Sequence, residues 1–111
     1  ILSYTQPTWT VGAPAGTGAT ASLTNSASNA IAGSIQITTG TGTTAGVIVN
    51  VMVSGSIGGG MFVQLTARNS AAAGQMTNFY ISATGPTTFS ISVNTALAAS
   101  TAYILNYRCD G

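Results

Sequence analysis

The chain has 111 residues, 45% of them apolar, and only three charges, on Arg68, Arg108 and Asp110; Lys, Glu and His are absent. That balance excludes a disordered tail, because chains that stay unfolded combine low hydrophobicity with high net charge. It also excludes a nucleic-acid partner, since two arginines cannot neutralise a run of phosphates.

Residues 1–18 scatter Pro7, Gly12, Pro14, Gly16 and Gly18 among Tyr4, Trp9 and Val11 with no sustained alternation. This predicts an extended arm or linker, leading into one β-sandwich domain over 19–111. Trp9 on the arm is either a plug in the domain's own surface or an anchor on a neighbouring subunit, because indole buries a large area. The start lacks both a Met and a basic stretch, so the chain is expected to be a processed product or, more readily, a piece of a longer polypeptide, without a secretory leader.

Beyond residue 18 the pattern is that of strands. Ile31, Ile35 and Ile37 share one face; Phe79 and Ile81, then Phe89, Ile91 and Val93, then Tyr103, Leu105 and Tyr107 recur at every second position. A period of two marks half-buried strands. Gly-rich or Asn-rich turns separate the runs, as at 40–42, 55–60, 69–74, 85–86 and 94–100. The spacing predicts seven strands, near 19–24, 30–39, 46–54, 61–67, 76–83, 87–93 and 101–108. Helix formers are scarce, and Ala96-Leu-Ala-Ala99 is too short to stand as a helix. The fold class expected is all-β, an antiparallel sandwich or jelly-roll-like domain.

The strand at 47–53 breaks the alternation: Val47, Val49, Val51 and Val53 lie on one side, Ile48 and Met52 on the other, around Asn50. Apolar residues on both faces predict burial on both faces, with Ile48 and Met52 at an oligomer interface. The near absence of charge supports the same expectation, since a free soluble surface is roughly 25–35% charged. A homo-oligomer, most readily a trimer, follows.

Chemistry-bearing groups are missing. One Asp cannot form the carboxylate pair of glycoside hydrolysis, and without His there is neither an acyl-transfer triad nor a zinc ligand set. Calcium needs several carboxylate oxygens. No enzyme activity and no cofactor or metal are expected. The glycines at 55–60 lack the Lys and helix of a phosphate loop and read as a hairpin turn. Cys109 is alone, so it is a small strand residue or the donor of an intermolecular bridge. No apolar run nears the roughly 20 residues of a membrane span, so no membrane insertion is expected. The polar handles left for binding are Arg68 and Asn69, opening the Ala-rich loop, and Asn78. With the 55–60 turn they form the candidate receptor-binding region, on loops that vary without disturbing a core.

Gly16-Thr-Gly-Ala-Thr-Ala-Ser22, Ala32-Gly-Ser-Ile-Gln-Ile-Thr-Thr-Gly-Thr-Gly42 and Thr44-Ala-Gly-Val47 stand in an order that continues through Val63-Gln-Leu-Thr-Ala67, Asn69-Ser-Ala-Ala-Ala73 and Phe79-Tyr-Ile-Ser82 to Phe89-Ser-Ile-Ser-Val93 and Ala96-Leu-Ala-Ala-Ser-Thr-Ala-Tyr103. Over 16–111 this series resembles a module of tailed-phage structural proteins, found near the C-termini of fibre-like and other virion surface proteins. It departs from the pattern after Val53, where Gly58-Gly-Gly60 replaces a proline-containing strand entry. The resemblance implies a small trimeric β tip on a virion, in contact with other virion proteins, presenting loops for attachment to a host surface. It transfers no catalytic or ligand residue. A capsid-decorating or fibre-supporting role without a receptor is the first alternative. A carbohydrate-binding module of an extracellular bacterial protein is the second, with a bacterial surface glycan as the partner class.

With no His, Glu or Lys to titrate, stability should be nearly constant from about pH 5 to 8. Melting temperatures measured across that window should agree within a few degrees.

Overall fold

A computed structural model describes residues 8–23, 32–52, 62–84 and 88–110 of the chain. Eight strands run in order: β1 (Thr8–Val11), β2 (Thr20–Leu23), β3 (Ala32–Thr38), β4 (Gly46–Met52), β5 (Phe62–Ala67), β6 (Phe79–Thr84), β7 (Thr88–Val93) and β8 (Ala102–Asp110). They form two four-stranded antiparallel sheets, β1-β4-β7-β6 and β2-β3-β8-β5, packed as a sandwich. The seven expected strands are present within a few residues of their expected bounds; of their positions, 24, 30, 31, 53, 54, 61 and 87 lie outside the described residues.

The core comes from the alternation. From the first sheet Val49, Val51, Phe89, Ile91, Val93 and Phe79 turn inward, and from the second Ile35, Ile37, Tyr103, Leu105 and Tyr107. Aromatic rings bridge the layers: Phe79 meets Tyr103 edge-on at 5.9 Å between centroids, and Phe89 meets Tyr107 at 5.8 Å.

The arm expected over 1–18 is corrected by the structure for residues 8–18; residues 1–7 lie outside the described residues. β1 is a true edge strand, in register with β4 from Thr8 opposite Met52 to Val11 opposite Val49. Its two apolar residues, Trp9 and Val11, pack against the core, too short an alternation to stand out between Pro7 and Gly12. Trp9 is a plug in the domain's own surface. Its indole N–H donates to the Ala21 carbonyl at 2.9 Å, tying the edge strand of one sheet to that of the other. A short 3-10 turn, Ala13–Ala15, follows and buries Ala15 completely.

The two-sided reading of strand 47–53 is also corrected. The register of β4 against β7 shifts between Val47 and Val49, the mark of a β-bulge. The extra residue lets two successive side chains, Ile48 and Val49, both enter the core of the same chain. Ile48 is 0% exposed, so its side chain is already covered and is unavailable to a second subunit. Met52, beyond the bulge, is 57% exposed. Val53 lies outside the described residues.

These placements separate the two residues energetically. Ile48→Ala should lower the unfolding free energy by about 3 kcal/mol through a core cavity, and Met52→Ala should change it by less than about 0.5 kcal/mol. Urea unfolding of the two variants measures the difference.

Candidate functional site

Four connections cross between the sheets at one end of the sandwich: 12–19, 39–45, 68–78 and 94–101. Neutral side chains pin them to one another. Thr39 donates its hydroxyl to the Ala98 carbonyl at 2.6 Å and accepts the Thr101 N–H at 2.9 Å. Thr43 donates to the Leu97 carbonyl. Gly40 donates its N–H to the Ala15 carbonyl at 3.0 Å, an approach so close that a Cβ there would stand 1.8 Å from the Thr17 oxygen. Only glycine fits.

Two of the three candidate receptor residues belong to this network. Asn69 caps the single helical turn α1 (Ser70–Ala73), its Oδ1 accepting the Ala72 N–H at 2.9 Å and the Ile104 N–H at 3.2 Å. Its amide donates to the Ala102 carbonyl at 3.0 Å. Asn78 is buried and uses its whole amide: Nδ2 donates to the Thr95 carbonyl and to Gln75 Oε1, both at 3.1 Å, and Oδ1 accepts the Thr95 N–H at 2.8 Å. Both asparagines are therefore occupied in holding the connections together. Arg68 is exposed at the end of β5, with its backbone N–H on the Ile104 carbonyl at 2.8 Å.

The 55–60 turn lies outside the described residues.

The structure draws attention instead to the outer face of the sheet β1-β4-β7-β6. No strand of this sheet carries a charged residue. Its outer face shows Thr8 and Thr10, Asn50 and Met52, Thr88, and Tyr80 and Ser82 as exposed residues. Its hydroxyls pair laterally: Ser90 donates to Asn50 Oδ1, and Ser92 donates to Ser82 Oγ at 2.6 Å. Met52 and Tyr80, the large exposed apolar side chains of the described residues, stand on this face at 57% and 42% exposure. Tyr80 lies between the inward-facing Phe79 and the partly buried Ile81; Met52 was expected at an interface together with Ile48. Tyr103 and Tyr107 are core.

Of the usual metal-ligand types the chain holds only the adjacent Cys109 and Asp110, which cannot enclose an ion. β8 carries Cys109 opposite Val63. Among the described residues no helix is long and apolar enough to cross a membrane. No protein-family model, curated protein or solved structure matches the chain.

Asn78→Ala would strand the Thr95 N–H and carbonyl beside a buried gap. It should cost about 1–3 kcal/mol of stability, and thermal unfolding against Asn94→Ala, an exposed neighbour, would measure it.

Proposed function

We propose that this chain is a non-catalytic structural module of a tailed-phage virion surface, a fibre or tip domain. It works as a homo-oligomer, a trimer by its resemblance to such modules, and presents its loop rim to a host surface. The observation that carries the reading is the charge-free outer face of β1-β4-β7-β6. Polar groups already hydrogen-bonded to one another cost less to remove from water than free ones, and Met52 and Tyr80 gain by burial. Such a face suits close packing against another uncharged surface better than it suits solvent. Attachment falls to the exposed rim of the 68–78 segment, with Arg68, Ser70 and Thr77. One cation gives weak single-site binding, so several copies must act together, a gain of roughly 10² to 10⁴.

A second reading has its own support. Tyr80 and Ser82 are both exposed on the outer face of β1-β4-β7-β6, and a ring beside a hydroxyl on a sheet is a surface that sugars stack on. This is the carbohydrate-binding module.

Sedimentation equilibrium at micromolar concentration separates them. The virion reading expects three times the chain mass, reduced to a single folded chain by Met52→Asp with Tyr80→Asp. A folded wild-type monomer would overturn it; glycan binding abolished by Tyr80→Ala would then establish the second reading. An oligomer whose Arg68→Ala variant attaches to host cells as well as wild type would point to decoration of the particle.

A further inference from the structure

The two sheets turn different chemistry outward. No strand of β1-β4-β7-β6 carries a charge, and its outward hydroxyls bond to their neighbours, Ser90 to Asn50 and Ser92 to Ser82. All three charges of the chain lie on or beside the other sheet. Arg108 and Asp110 belong to β8, and Arg68 follows β5, leaving one net positive charge.

The register places the two arginines. Tyr103, Leu105 and Tyr107 of β8 are buried in the core, so Ile104, Asn106 and Arg108 lie on the outer side of the sheet. Directly opposite residues share a face; Thr66 stands opposite Asn106, and Gln64 opposite Arg108. Arg68 donates its backbone N–H to the Ile104 carbonyl at 2.8 Å, which continues that register to one more outward position. Arg68, Thr66 and Gln64 therefore follow one another at every second position, about 7 Å apart, with Asn106 and Arg108 beside them.

Gln64, Thr66, Arg68 and Arg108 are exposed, and Asn106 is half-buried. No side-chain hydrogen bond engages Gln64, Thr66 or Asn106 among the described residues. The contrast with the first sheet separates two tasks. Hydroxyls already bonded to neighbours lose little when packed away from water. Amides with open donors and acceptors exchange their water for the hydroxyls of a ligand.

We propose that the β5–β8 half of this outer face binds an acidic polysaccharide, with sparse carboxylates among neutral sugars, lying along the strands. The proposal rests on the reading that the chain attaches to a host surface, and it names the chemistry which that surface presents. A guanidinium holds a carboxylate by two parallel N–H···O bonds. The arginines stand four positions apart along the ladder and one strand apart, roughly 14 Å between backbones. Thr66, Gln64 and Asn106 occupy the interval, so the ligand that matches the face is mostly hydroxyl, with acid groups at intervals. A polymer with a phosphate on every unit presents more anions than two arginines can match. A neutral polymer gains nothing from either charge.

Binding of the full chain to immobilised hyaluronan, which has a carboxylate on alternate sugars, tests the proposal. Dextran, which is neutral, and poly(glycerol phosphate), with a phosphate on every unit, are the comparisons. Hyaluronan should bind and the other two should not, and added salt should weaken the binding. Arg108→Ala should weaken it about tenfold, Arg108→Lys should restore part of the loss, and Gln64→Ala should weaken it without changing the salt dependence. Both positions are exposed, so the melting temperature should stay near that of wild type. No binding to hyaluronan, equal binding to all three polymers, binding to poly(glycerol phosphate) alone, or wild-type binding by Arg108→Ala overturns the proposal. Adhesion to host cells that needs Arg68 but is indifferent to Arg108→Ala overturns it too, and leaves the attachment reading standing. Hyaluronan binding that Arg108→Ala weakens, by a chain that adheres to no host cell, keeps the polysaccharide face and removes attachment.

Discussion

Neutral hydrogen bonding at one end of the sandwich is the constraint on which the rest depends. A chain with three charges has almost no salt bridges with which to fasten its loops, yet four connections must cross between the sheets there. Thr39, Thr43, Asn69 and Asn78 fasten them, each by bonding backbone groups of a different connection or strand. A backbone turning between layers leaves N–H and C=O groups that no ladder satisfies, and each would cost as much as a lost bond if buried alone. Among the described residues no buried side-chain nitrogen or oxygen is without a partner. The inter-sheet ring contacts and the aliphatic core can close only because this end holds the layers in register.

The strands were legible because side-chain alternation is a direct consequence of the pleat. Phe89, Ile91 and Val93, or Tyr103, Leu105 and Tyr107, admit little else. What was not legible depends on backbone geometry that a period of two does not encode. The bulge at Val47–Val49 made a one-sided strand look two-sided, because an inserted residue inverts the alternation and places Ile48 beside Val49 on the core side. β1 was hidden by its brevity: Trp9 and Val11 form a pair that becomes a strand only when β4 lies beside it. The start of β6 moved from 76 to Phe79 because Asn78 spends its amide closing a turn with Gln75 and Thr95.

The asparagines show why a binding residue is hard to recognise from its type. A polar residue in an apolar, Gly-rich loop stands out in the sequence whether it reaches toward a ligand or back toward its own chain. Local side-chain bonds to backbone are the commoner use of Asn at turns and helix starts, and Asn69 followed by Ser-Ala-Ala-Ala73 carries that cue. By contrast, the surface composition was informative because it concerned the whole chain. The absence of charge from an entire sheet needed no geometry to detect, only a topology to say that β1, β4, β7 and β6 are neighbours.

The place of β8 has a consequence for how the molecule comes into being. It is the last strand in chain order, yet it lies inside its sheet, between β3 and β5. Its partners, such as Ile35 opposite Leu105, are some seventy positions upstream. Contacts of such long sequence separation form slowly, because the chain between them must be closed first. During synthesis, β2 with β3 forms one fragment and β5 another, and neither can join the other until β8 has left the ribosome. A chain cut short before Ala102 would keep two unpaired edges and an uncovered core face. The second sheet is thus completed only once β8 is available to join β3 to β5.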